Sequence, residues 1–160
     1  MKGGEKLSKD VTFNAVDVKR INMDEYNEDD YAVASVGFLS TRPNSHNIGI
    51  SEDVLREYAP SVLGKWMTAE VKFGDCTTHT NGQVIVGVVP KNQDVRFVEA
   101  DDGYLDAYVD CIISKRYAKD YCNVFSEDDP TRAVSIEATF DMIDDDNASA
   151  FSIKTITTLG

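Results

Sequence analysis

The residues with most to offer chemically are a serine, two histidines and several runs of carboxylates. In the stretch RAVSIEATFDM, Arg132 to Met142, the residues Val134, Ile136, Ala138, Phe140 and Met142 form an apolar row at period two. Ser135, Glu137, Thr139 and Asp141 form the opposite row, which a strand would turn away from the core. A serine becomes a nucleophile when a base within hydrogen-bond reach takes its proton and donors hold the oxyanion formed on the attacked carbonyl. A third group then fixes the imidazole tautomer. The histidines are His46 and His79. His79 lies in GDCTTHTNGQVIVG between two strand patterns, and His46 lies in STRPNSHNIGIS, a loop by its turn residues. A loop histidine is most often simply solvated, so residue type alone assigns neither. The chain contains no GxSxG elbow and no GDSGG, so neither an α/β-hydrolase nor a trypsin-like architecture is supported.

The elements that must position these groups are mostly strands. Alternation runs through VTFNAVDVKRI, YAVASVGFL, MTAEVKF, QVIVGVV, YLDAYVDCI, AVSIEATFDM and FSIKTITTL, about seven strands. In YLDAYVDCI, Leu105, Ala107, Val109 and Cys111 face a core, while Tyr104, Asp106, Tyr108 and Asp110 face solvent. QVIVGVV is apolar on both faces and is expected to be covered on both. Two segments read as helices. SEDVLREYAPSVLG has an N-cap at Ser51, acid in its first turn, and Pro60 and Gly64 to end it after about nine residues. ISKRYAKDYCNVF carries Ile113, Tyr117, Tyr121, Val124 and Phe125 at helical spacing behind Ser114. The fold class expected is mainly β with α, a mostly antiparallel, closed or nearly closed barrel with helices packed outside. Residues 1–10 read as a flexible lead-in and 11–160 as a single domain.

Composition narrows the function. With 28 acidic against 16 basic residues and a net charge of -12, the chain lacks the clustered cations that nucleic-acid binding requires. No apolar run approaches the roughly 20 residues of a membrane span, and no secretion signal precedes the first strand. Cys76, Cys111 and Cys122 are odd in number and show no CxxC spacing, which argues against a disulfide framework or a zinc site. They read as small buried hydrophobes. IDDDNAS lacks the glycine and distal glutamate of a calcium loop. No metal and no organic cofactor is implied.

The order of TRPNSHNIGISEDVL, GKWMTAEV, GDCTTHTNGQVIVGVV, GYLDAYVDCII and AVSIEATF resembles that of the tailed-bacteriophage prohead maturation proteases, serine enzymes related in fold to the herpesvirus assemblins. The likeness covers about Val11 to Gly160. It implies an assemblin-like barrel, Ser135 as nucleophile on the barrel's outer surface, and His79, 56 positions earlier, as general base. The herpesvirus enzymes use a second histidine after the serine, and none follows Ser135 here. A carboxylate takes its place in this reading: Glu137 first, about 7 Å from Ser135 along the strand face, with Asp141 and Asp144 to Asp146 as alternatives. The assemblin arginine pair after the nucleophile is also missing, and Arg132 would share the face of Val134. The oxyanion donors are therefore backbone amides, a water or a remote group. Asn44 and His46 are candidates to border the substrate cleft, against the plainer reading of a turn built by Asn and Pro.

The resemblance further implies substrates among scaffold, portal and capsid precursor proteins, self-cleavage, and work inside the assembling prohead in the host cytoplasm. It allows for a homodimer. A chain ending at Gly160, directly after a strand, is expected to be a trimmed or self-processed form. The alternative of a different class is a non-catalytic β-barrel serving as a structural or scaffold-binding part of the head. A small-molecule lyase or hydrolase ranks last, because the inward rows are apolar.

Overall fold

Period-two alternation with β-branched and aromatic residues on the buried row builds strands, and most of these strands join one sheet. A computed structural model describes residues 7–14, 18–22, 31–69, 71–72, 75–76, 84–118 and 133–159. The strands are β1 (Leu7–Asn14), β2 (Val18–Asn22), β3 (Tyr31–Ser40), β4 (Trp66–Ala69), β5 (Val71–Lys72), β6 (Asp75–Cys76), β7 (Val84–Val88), β8 (Arg96–Glu99), β9 (Leu105–Ser114), β10 (Ala133–Met142) and β11 (Ala148–Leu159). Nine of them form a sheet in the order β1-β10-β11-β4-β7-β9-β3-β2, with β8 also on β9; β5 and β6 make a separate ribbon. β11 and β4 run parallel, and the other neighbours are antiparallel.

The class is mainly β with a little helix, as the patterning implies. Closure is not observed. Among the described residues no ladder joins the edge strands β1 and β2, so the sheet is open and mixed. It is nevertheless rolled: β10 and β3 pack on each other across the interior. Their inward rows, Val134, Ile136, Ala138 and Phe140 against Ala34, Val36 and Phe38, belong to a single core. VTFNAVDVKRI divides into β1 and β2, and β1 begins at Leu7, inside the stretch read as a lead-in.

Only one helix is present among the described residues, α1 (Glu52–Tyr58), continued by a 3-10 turn over Ala59–Val62. The Ser51 hydroxyl accepts from the Val54 N–H at 3.3 Å, and Glu52 and Asp53 lie in the first turn. Pro60 stands at the head of the 3-10 turn, and Gly64 ends the segment at φ +82°. Leu55, Ala59 and Val62 carry this unit onto the core. It is pinned to β11 by the Ser61 hydroxyl, which accepts from the Ile153 N–H at 3.0 Å. That amide is available because β11 bulges at Lys154, where pairing jumps from Glu137–Thr155 to Ala138–Ile153. Ser61→Ala strands it, so a loss of about 1–2 kcal/mol is expected in a urea titration, with an unchanged m-value.

The second expected helix is not formed where it was expected to start. Ile113 and Ser114 belong to β9, and a single turn follows, with the Ser114 hydroxyl accepting from Tyr117 N–H at 3.0 Å. The aromatic spacing there mimics a helix, but β-pairing to Tyr31 and Ala32 claims its first residues. Residues 119–125 of that segment lie outside the described residues.

β7 and β8 lie along one side of β9, opposite Ile112–Ile113 and Leu105–Tyr108 respectively. Gln93 fills the gap between them as a strand would. Its Nε2 donates to Asp110 O at 2.8 Å and its Oε1 accepts from Asp110 N–H at 2.9 Å. At Gly87 the strands approach so closely that a Cβ would stand 2.3 Å from Ile112 O. β8 (Arg96–Glu99), which the alternation reading did not include, is flanked by α1, whose Arg56 guanidinium lies 5.1 Å over the Phe97 ring.

Burial corrects two further expectations. Asp106 and Tyr108 are buried rather than wet, and Val84 and Ile85 are exposed rather than covered. Cys111 is buried as its type suggests, and desolvation pushes its thiol up to about 12. Iodoacetamide at pH 8 is therefore expected to leave Cys111 unmodified in the native protein and to label it on unfolding, read by peptide mass mapping.

Candidate functional site

Ser135 sits on β10 between β1 and β11, opposite Asn14 on one side and Thr157 on the other. It occupies the outer row, as alternation requires, yet its exposure is 0%. The expectation of an open, solvated serine is thereby corrected. Period two reports which face a side chain takes, and it is blind to what covers that face. Thr157 is likewise 0% exposed, and its Oγ1 lies 2.9 Å from Thr68 Oγ1 on β4. Directly opposed residues share a sheet face at about 5 Å between Cβ atoms. Ser135, Thr157 and Thr68 thus form one hydroxyl row across three strands, continued on β7 by Ile85. The next row runs from Glu137 through Thr155 and Trp66 to Val88.

The carboxylates separate by position. Glu137 is half-buried and two residues from Ser135 on the same face. Asp141 is six residues along that row, about 20 Å away on a regular strand. Asp144 is committed to the β10–β11 connection, where its Oδ1 accepts from the N–H groups of Asp146 and Asn147, each at 2.8 Å. Those donors, with the Asn147 side-chain amide, hold its carboxyl below the usual range. Of the carboxylates considered, the structure brings Glu137 to the serine's neighbourhood.

Asn44 and His46 are not brought there. The Asn44 Oδ1 accepts from the N–H groups of His46 at 3.1 Å and Ile48 at 3.2 Å, and its Nδ2 donates to Ile48 O at 2.7 Å. This is a self-contained Asx turn with an exposed His46. Its continuation at Gly49 bridges to Asn147, beyond the Met142 end of β10, seven residues along the strand from Ser135. His79 and Arg132 lie outside the described residues. His79 belongs to the connection between β6 and β7, and β7 enters the sheet three strands from β10.

Sequence reading missed the threonines. In FSIKTITTL the apolar row occupies Phe151 and Ile153, then Ile156, a change from odd to even. That slip is the signal of the bulge, and it turns Thr155 and Thr157 to the outer face. Among the described residues no three His, Cys, Asp or Glu side chains are gathered as a metal site requires. No helix among them is long and apolar enough to cross a membrane. Compared with family models, curated proteins and solved structures, the chain matches none.

Proposed function

We propose that this protein is a serine endopeptidase of the prohead-maturation kind, with a rolled, assemblin-like sheet carrying Ser135 on its outer face. The observation that carries the reading is the company Ser135 keeps. Glu137 stands beside it on the same face, and threonine hydroxyls stand on the same face of the neighbouring strands β11 and β4. A hydroxyl with a carboxylate and further hydroxyls on its own sheet face has the polar surroundings that a nucleophile requires.

In this proposal His79 takes the proton as Ser135 Oγ forms a bond to the substrate carbonyl carbon and the carbonyl oxygen becomes the oxyanion. Collapse expels the amine, which takes the proton from His79. Water, activated by the same imidazole, then releases the acyl group as a carboxylic acid and restores Ser135. Glu137 steadies the imidazolium. Substrates are scaffold, capsid and portal precursors and the chain itself, cleaved within the prohead in the host cytoplasm. A homodimer fits this setting.

The complete burial of Ser135 favours a second reading, a structural head component in which the hydroxyl row only knits strands together. Co-expression with the neighbouring capsid and scaffold genes decides between them, with products followed by intact mass. Processing that is lost in both Ser135→Ala and His79→Ala while the proteins stay folded supports the peptidase. Processing that persists in both, or never occurs with wild type, leaves the structural reading.

A further inference from the structure

β8 leaves one of its long edges open. Its ladder with β9 pairs Arg96 with Tyr108, Phe97 with Ala107, Val98 with Asp106 and Glu99 with Leu105, without a bulge. The Ala100 N–H continues that register by donating to Tyr104 O at 2.8 Å, and beyond the other end Gln93 takes both backbone groups of Asp110. Hydrogen-bonded pairs alternate along an antiparallel ladder, so Arg96 and Val98 turn their backbone groups to β9 while Phe97 and Glu99 turn theirs away from it. Among the described residues no strand lies on that outer side, and no hydrogen bond uses the Phe97 or Glu99 N–H or C=O. RFVE contains no proline and no lysine, two of the devices that keep an edge from pairing.

The side chains around this edge select the charge of a partner. Asp94, Glu99 and Asp101 are exposed, and among the described residues none of them is in an ion pair. The cations nearby are engaged: Arg96 donates to Asp110 at 3.0 Å and to Ser35 at 2.8 Å, and Arg56, over the Phe97 ring, donates to Glu52. Val98, 44% exposed, adds an apolar contact on the face opposite to Glu99.

We infer that β8 takes up an extended, Lys- or Arg-bearing segment of another protein as an additional strand, with its backbone on Phe97 and Glu99. The main chain supplies the attachment and the side chains the selection: a cation opposite Glu99 forms a cross-strand pair, and a β-branched residue next to it covers Val98. A second copy of the chain is the poorer occupant, because each copy carries a net charge of -12 and brings the same carboxylates to the same edge. β11, β4 and β7 stand between β9 and β10 in the sheet, so the edge is separate from Ser135. The inference concerns docking, not cleavage, and does not depend on the peptidase reading.

Fluorescein-labelled eight-residue peptides of alternating Val and Lys test it by anisotropy against the full-length protein. A Val/Glu peptide and a Val/Lys peptide N-methylated at every residue are compared, since N-methylation removes the ladder donors and keeps every charge. The Val/Lys peptide is expected to saturate, with half-saturating concentrations at least tenfold higher for the other two. Amide exchange at Phe97 and Glu99, read by NMR, should slow at least tenfold at saturation. Glu99→Pro removes an outward N–H and a carboxylate while sparing the bonds to β9, and should raise the half-saturating concentration at least tenfold. If that variant fails to fold, exchange in the wild-type protein decides alone. Absent binding, equal binding of either comparison peptide, or unchanged exchange at Phe97 and Glu99 overturns the inference. So does slowed exchange at these two amides on concentrating the protein by itself, which would place a second copy on the edge.

Discussion

Ser135→Ala is expected to lower the rate of peptide-bond hydrolysis by a factor of about 10³ or more, an increase of at least about 4 kcal/mol in the barrier. In the proposed mechanism the nucleophile, its base and the orienting group act as a unit, so removing one would disable the rest. Thermal midpoints should move little by comparison, since a buried serine and a buried alanine differ by one hydroxyl. Glu137→Gln keeps the shape and removes the charge, and in the proposed geometry it costs less than Ser135→Ala while distorting the pH profile. Hydrolysis by purified Ser135→Ala within tenfold of wild type would sink the proposal. A rate lost together with cooperative unfolding would mean that the hydroxyl is structural.

Arg42→Ala is expected to destabilise the fold by about 3 kcal/mol, because it leaves a buried carboxylate without its cation. The Arg42 guanidinium grips Asp106 with two bonds, Nε to Oδ1 at 3.1 Å and NH2 to Oδ2 at 3.3 Å. It also donates to Asp102 and lies 5.4 Å over the Tyr104 ring. Hydrogen bonds to Asp106 and Asp102 hold it charged well above its ordinary range. At about 2–4 °C per kcal/mol for a chain of this size, the midpoint should fall by roughly 6–12 °C. Arg42→Met combined with Asp106→Leu should regain most of the loss, since an apolar pair replaces a desolvated ionic one. A drop under about 1 kcal/mol for Arg42→Ala would mean that Asp106 finds another partner.

The pH dependence has a definite sign. Partial desolvation raises the Asp102 pKa, but the Arg42 hydrogen bond and the Tyr104 N–H outweigh it and hold the carboxyl low. A group depressed in the folded state stabilises above its unfolded pKa, about 3.9 for Asp, and that contribution fades as pH falls through the folded value. The difference between wild type and Arg42→Ala should therefore narrow in acid.

Local signals and long-range ones were unequally legible. The buried row of β10, the Ser51 cap and the end of α1 near Pro60 all follow from spacing, because period and capping are properties of a few adjacent residues. The burial of Asp106 depends on Arg42, 64 positions earlier, and that of Ser135 depends on what packs over the outer face, which no local window contains. The seam between Ile113 and Tyr117 misled for a related reason. Helical spacing there is real, but the ladder to β3 outweighs it. The serine and its neighbouring glutamate were legible as a pair, and the threonines opposite were hidden by one inserted residue at Lys154.

The pairing of β1 with β10 has a consequence in time. Asn14 faces Ser135 across that ladder, so one flank of the candidate nucleophile is supplied by a strand made about 120 residues earlier. At translation rates of roughly 5–20 residues per second, β1 exists for about 6–24 s before the strand it must join has been synthesised. Contacts this distant in sequence also form slowly. The neighbourhood of Ser135 is therefore among the last parts of the sheet to be assembled. If the proposed peptidase reading holds, the chemistry of Ser135 would be acquired only when the newest part of the chain closes on one of the oldest.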